Sequence, residues 1–196
     1  EELLGLPEAV DAARVETPGD GAVLDLGGGH RLRFIDAHGH ARHQYIILDE
    51  GTGMLFSADE LGVTYPGLTT AQGDYLLPST APNQFDPEAM IESARRLKTL
   101  RPEGILFSHF GRGRMGVDAL AARLEEQVRA FTALVAGEKE PIDWETVRER
   151  LYAHIRQDLE AQGIAWTDEL RERFALDAMI CARGLADYQA RQLRGR

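Results

Sequence analysis

An α/β fold, strand-rich in its first half and helical in its second, is what this sequence predicts. Three observations carry that reading. Short apolar runs separated by Gly-rich turns repeat between residues 22 and 57. Helical periodicity with capping residues begins at Asp86 and, with one strand inserted near residue 105, runs to the C-terminus. The 196 residues, 43% hydrophobic and 28% charged, suit an ordinary globular domain able to bury its own core.

Ala22 to Leu26 and Leu32 to Asp36 are β-prone runs around the turn Gly27-Gly28-Gly29-His30-Arg31. His43 to Asp49 contains Tyr45-Ile46-Ile47-Leu48, a continuous apolar run fit for a buried strand. After Glu50-Gly51-Thr52-Gly53, Met54-Leu55-Phe56-Ser57 is a fourth strand. Residues 60–85, rich in Gly, Pro, Thr and Ser with no clear period, read as a long loop. Asp86-Pro87-Glu88 starts a helix with a capping Asp, Pro in the first turn and an acid beside it. Met90, Ala94, Leu97 and Leu100 are its stripe, and Pro102 and Gly104 end it before a fifth strand, Ile105 to Ser108. A second helix spans about Val117 to Val135. Asp143 caps a third helix that Gly163 ends, and Thr167 caps a fourth carrying Leu170, Phe174, Ala178, Cys181, Leu185 and Tyr188 at spacings of three or four. This divides the chain into residues 1–137 and an appended helical unit, 138–196, packed on the same domain.

Charge and composition exclude several roles. With 22 Lys and Arg against 32 Asp and Glu the net charge is −10, which argues against nucleic acid and anionic membranes as partners. No run approaches the ~20 apolar residues of a membrane span. The start, Glu1-Glu2-Leu3-Leu4, shows no export signal, and the absence of an initial Met predicts a processed or truncated chain. One cysteine, Cys181, makes no internal disulfide and points to a cytoplasmic location.

Histidine carries the first chemical signal. Four of the six, His30, His38, His40 and His43, fall within 14 residues at the junction of two strands. Imidazoles in that density are either metal ligands or parts of a polar loop. Asp59 ends a strand, where it either reaches into a cleft or starts a turn. His109 succeeds the strand Ile105-Leu106-Phe107-Ser108; a single His in that place is ordinarily structural. His38 reads as a turn residue and His43 as a strand-edge or supporting residue, while His30 and His154 read as solvated. Gly111-Arg112-Gly113-Arg114-Met115-Gly116 matches the dinucleotide pattern Gly-x-Gly-x-x-Gly, but a long helix with no second strand comes after it, so a flexible loop is the better reading. Arg112 and Arg114 there either meet an anionic substrate group or are solvated. Cys181 lies on an apolar helix face and reads as a buried, inert thiol.

Taken together, Gly39-His40, Phe56-Ser57-Ala58-Asp59 and Ser108-His109 resemble the second half of a metallo-β-lactamase-fold hydrolase. The closing helices, with Gly184-Leu185-Ala186-Asp187-Tyr188, are similar to those of a bacterial subgroup. The resemblance implies an αββα sandwich, here partial, with additional C-terminal helices. It implies His40 and His109 as terminal metal ligands and Asp59 as the carboxylate bridging two metals. Zinc is the implied ion, one or two per protein, with iron or manganese as alternatives. The implied reaction is attack by a metal-bound hydroxide on a small-molecule ester, thioester, lactone, amide or phosphoester.

The departures set further expectations. The family's His-x-His-x-Asp-His run is absent and would lie upstream of residue 1. His38 stands where Pro is usual, and Ala58 where Gly is usual. Three ligands fall short of two metals at four or more ligands each. The isolated chain is therefore expected to be inactive, and either to self-associate or to pair with a missing N-terminal segment. A non-catalytic or split-protein scaffold, or a mononuclear iron oxygenase of the same superfamily, is the alternative.

Overall fold

The computed structural model of the chain describes residues 8–71, 73–109 and 111–195; Glu1 to Leu4, where no export signal was found, and Phe110 lie outside them. Eight strands and five α-helices occur among the described residues, in the order β1 (Val23–Asp25), β2 (Arg31–Asp36), β3 (Tyr45–Asp49), β4 (Met54–Phe56), β5 (Val63–Thr70), β6 (Gly73–Leu77), α1 (Pro87–Leu100), β7 (Gly104–Phe107), β8 (Gly111–Arg112), α2 (Val117–Ala133), α3 (Trp144–Ala161), α4 (Asp168–Arg173) and α5 (Ala175–Arg194). A six-stranded sheet runs β1-β2-β3-β4-β7-β8, and β5-β6 form a separate two-stranded sheet.

The first four strands are an antiparallel meander because tight turns join them. The β4–β7 pair is parallel, as its long crossover through β5, β6 and α1 allows. The two faces of the sheet differ. Ile35, Ile46, Leu55, Ile105 and Phe107 are buried in one core with Met90, Ile91, Ala94 and Leu97 of α1 and Leu120, Leu124, Val128 and Phe131 of α2. On the other face Phe34, Ile47, Phe56 and Leu106 stand in cross-strand register. None of these four is buried, and Phe56 is 45% exposed. Leu24, aligned with Leu32 on the same face, is 48% exposed.

Helix starts coincide with the caps. Asp86 accepts from Glu88 N and Ala89 N, Asp143 from Thr146 N, and Thr167 from Leu170 N. Two readings of the sequence are corrected. The loop expected over residues 60–85 contains the β5–β6 hairpin. Val63, Thr64, Tyr65, Tyr75, Leu76 and Leu77 are all buried, and the irregularity that disguised the strand, Pro66-Gly67, sits at a register shift between Tyr65 and Thr69. The single last helix is two: Phe174, wholly buried, ends α4 and caps α5. The 111–116 glycine pattern starts a two-residue strand antiparallel to β7, so it opens no dinucleotide unit.

Candidate metal-binding site

Parallel pairing explains why two residues fifty positions apart meet. Phe56 of β4 is aligned with Leu106 of β7. Asp59 and His109 each lie three residues beyond that pair, past the same C-terminal sheet edge. Asp59 Oδ1 stands 3.3 Å from His109 Nε2. The approach to Asp59 is sharp. Ala58 has φ +46°, the left-handed region, where the family pattern has Gly. The turn shape is thus kept although the residue differs.

His40 arrives from the β2–β3 connection. Its Nε2 is 3.8 Å from Asp59 Oδ2. Its Nδ1 is 2.9 Å from the Ser79 carbonyl oxygen. A carbonyl only accepts, so Nδ1 carries a proton and donates it, and Nε2 is the ring nitrogen turned toward Asp59. Gly39 is dictated by crowding: a Cβ there would lie 2.4 Å from Met90 Cα and N at the start of α1.

Glu60 holds this turn, and sequence reasoning missed it. Its side chain is wholly buried. Oε1 accepts from Gly39 N at 3.0 Å and from Ser93 Oγ at 2.6 Å, and Oε2 accepts from His40 N at 2.8 Å. Burial pushes its carboxyl pKa up, against the pull of those hydrogen bonds. The one available signal was an acid set between an apolar strand and Leu61, where a solvated residue does not belong.

The donor set is suited to a metal but incomplete. Asp59 Oδ1 is buried and has no hydrogen-bond partner, an arrangement a carboxylate tolerates when something positive completes it. Two imidazoles flank one carboxylate, each on a different oxygen. Among the described residues no group of three or more His, Cys, Asp and Glu side chains is set to close on one ion. The three donors therefore fit as part of a metal centre, not as a whole one.

The remaining candidates are dispersed. His38 is exposed, 3.8 Å from Asp36 Oδ2. His43 is exposed and lines a recess of about 280 Å³ together with His40, Asp59 and Gln44. Arg112 is carried by β8 to a different cavity, beside Glu103 and Gly104, so the fold does not bring it to the cluster. Arg114 is exposed and bonds Asp74 and Thr69. His30 is exposed, as expected, and its Nδ1 lies 3.0 Å from Asp49 Oδ2. His154, expected in solvent, is half-buried. The Gln127 amide nitrogen donates to its Nε2 at 3.0 Å, the amide oxygen accepts from Arg123, and burial lowers the imidazole pKa. Cys181 is buried, and burial pushes its thiol up to about 11, as an inert thiol requires.

His40, Asp59 and His109 also line a cavity of about 420 Å³ whose other walls come from β5, β6 and α5. The helix is clamped there. A Cβ on Gly184 would lie 1.4 Å from Thr80 O, Thr80 Oγ1 donates to Cys181 O at 3.0 Å, and Cys181 Sγ donates to Pro78 O at 3.4 Å.

Comparison with known proteins identifies the fold. The family model described as the metallo-beta-lactamase superfamily matches residues 2–109. A metallo-beta-lactamase fold-containing protein of Sulfurisphaera tokodaii is 32% identical over 107 residues, 55% of this chain and 37% of that protein. Among solved structures, an archaeal metallo-beta-lactamase superfamily protein from Sulfolobus tokodaii superposes with TM-score 0.57 at 23% identity, covering 92% of this chain and 55% of its own. A beta-lactamase domain protein from Burkholderia ambifaria gives TM-score 0.58 at 18% identity, over 95% and 49%. The chain thus spans little more than a third of the curated relative and about half of each of these structures.

Proposed function

This chain belongs to the metallo-β-lactamase superfamily, and from that premise we propose that it contributes one half of a metal-dependent hydrolase centre, with His40 and His109 as terminal ligands and Asp59 as the carboxylate between them. The observation that carries the reading is the Asp59 carboxylate flanked by two imidazoles, one on each oxygen, with Oδ1 buried and making no hydrogen bond. Zinc suits two nitrogen donors and a carboxylate, and iron or manganese accepts the same set. An ion held there acidifies water and balances charge developing on an attacked carbonyl or phosphoryl oxygen.

The chain's own residues do the positioning. Ser79 O fixes the His40 tautomer, Glu60 holds the His40 backbone, and the parallel β4–β7 pair sets Asp59 beside His109. The substrate is a small ester, thioester, lactone, amide or phosphoester. The ligands these residues do not supply come from a further segment or a second copy seated on the apolar row Phe34, Ile47, Phe56 and Leu106. The unpaired thiol Cys181 suits the cytoplasm, and no helix among the described residues is long and apolar enough to cross a membrane.

The test is metal analysis and an ester and thioester panel on the protein that carries this chain. Asp59→Asn lowers metal affinity by about tenfold or more, since even supporting partners of ligands matter that much, and hydrolysis falls with it while the fold persists. Unchanged metal content and turnover in Asp59→Asn would overturn the assignment.

A further inference from the structure

His40 and Asp59 lie where two unlike spaces meet. On one side is the cavity of about 420 Å³, walled mainly by Val63, Tyr65, Leu77, Leu176 and Ile180; the two charged residues beside them, Arg173 and Asp177, are bonded to Pro66 O and the Tyr65 hydroxyl. Its size is at the small end of the roughly 300–1,000 Å³ of ligand pockets. Leu176, at its rim, is 63% exposed, an apolar side chain left in water at the mouth of an apolar space. On the other side is the recess of about 280 Å³ lined by Gln44, Asn83 and Gln84. There Gln44 Nε2 is buried with no hydrogen-bond partner, a donor lacking an acceptor.

We propose that the substrate is an acyl compound of matching polarity: an aliphatic chain in the cavity under α5, the scissile group beside His40 and Asp59, and an uncharged group bearing a hydrogen-bond acceptor in the recess at Gln44. The inference rests on the hydrolase reading for the word "scissile" only; occupancy of the two spaces needs neither metal nor turnover. Chain length is read by α5, through Ile180 and Leu176, and the α5 clamp at Thr80 keeps that wall in place.

The test is binding of N-butanoyl-, N-hexanoyl- and N-octanoylglycinamide to the chain, measured by calorimetry and by amide NMR shifts. Each fully buried methylene tightens binding by about fourfold, so with two or more of its four extra methylenes buried the octanoyl probe binds about tenfold or more tighter than the butanoyl one. Ile180→Trp, which fills the cavity, removes that gradient. Leu176→Trp narrows the mouth from an exposed position and reduces the gradient even if the Ile180 variant folds poorly. Gln44→Leu weakens all three probes alike and leaves the gradient intact. No gradient, or a gradient untouched by both tryptophan variants, overturns the acyl assignment. An unchanged affinity in Gln44→Leu overturns the recess assignment. A gradient in a protein whose Asp59→Asn variant keeps full metal binding would sink the hydrolase reading and leave this one standing.

Discussion

Gly184→Ala is the substitution that most directly probes how the helical unit meets the site. The introduced Cβ would sit 1.4 Å from Thr80 O and 2.9 Å from Ala81 C, both backbone atoms that no rotamer change can move aside. Ordinary contact needs about 3.5 Å, so α5 must retreat by roughly 2 Å. The retreat breaks the Thr80 to Cys181 and Cys181 to Pro78 hydrogen bonds, each worth about 0.5–1.5 kcal/mol net. Overpacking adds about 1–3 kcal/mol. Helix propensity opposes this, since Ala is better than Gly by about 1 kcal/mol. The loss outweighs the gain, leaving a destabilisation of about 2–4 kcal/mol. Urea unfolding monitored by circular dichroism reads this, and reaction of Cys181 with a thiol reagent reports whether the clamp has opened. A variant within about 0.5 kcal/mol of wild type, as surface changes usually are, with Cys181 still protected, would refute the argument.

The geometry dictates three other outcomes. Glu60→Ala leaves the Gly39 and His40 N–H groups without their acceptor, while Ser93 Oγ keeps the Ala89 carbonyl. At about 1–3 kcal/mol for each group left unsatisfied, it destabilises by about 2 kcal/mol or more, and Glu60→Gln by less, in chemical denaturation. Ala58→Gly relieves a left-handed backbone that costs an L-residue about 1–2 kcal/mol against about 0.5–1 kcal/mol of glycine entropy, so the melting temperature rises slightly, whereas Ala58→Val lowers it. His154 has its pKa lowered chiefly by burial, so below the ordinary 6.5 the unfolded chain takes up a proton the folded chain refuses. Its contribution therefore makes stability fall as pH drops through 6.5 toward the lowered folded value. His154→Gln flattens that part of the pH–stability curve, and an unaltered curve would show that the imidazole is not the group responsible.

Local rules were enough for the elements that carry strong local signals. The caps at Asp86, Asp143 and Thr167 were legible because a short side-chain acceptor before a periodic run has one obvious use. Gly39-His40, Asp59 and Ser108-His109 were legible as a pattern of strand ends. The features that escaped depended on long-range packing. In the β5–β6 hairpin, Pro66-Gly67 interrupts Val63-Thr64-Tyr65 just where a bulge absorbs them. Phe174 looks like one more member of a helical stripe, and only its complete burial at the α4–α5 corner distinguishes it. Glu60 meets Ser93 across 33 residues, a partnership no local spacing announces. The cavity walls on α5 belong to the same class, since Ile180 and Leu176 gain meaning only once Gly184 has brought the helix onto Thr80.

If a further segment or a second copy seats on the half-exposed row formed by Phe34, Ile47, Phe56 and Leu106, as proposed above, the fate of the centre is tied to mass action. Whatever seats on that face binds the paired strands and not the unfolded chain, so it stabilises the fold by an amount that grows with the logarithm of its concentration over its dissociation constant. Leu106 belongs to the same four-residue strand that aims His109, and Phe56 to the one that leads into Asp59. Covering the row and ordering the donors are then one equilibrium. Metal uptake would then report assembly, and dilution alone would weaken it.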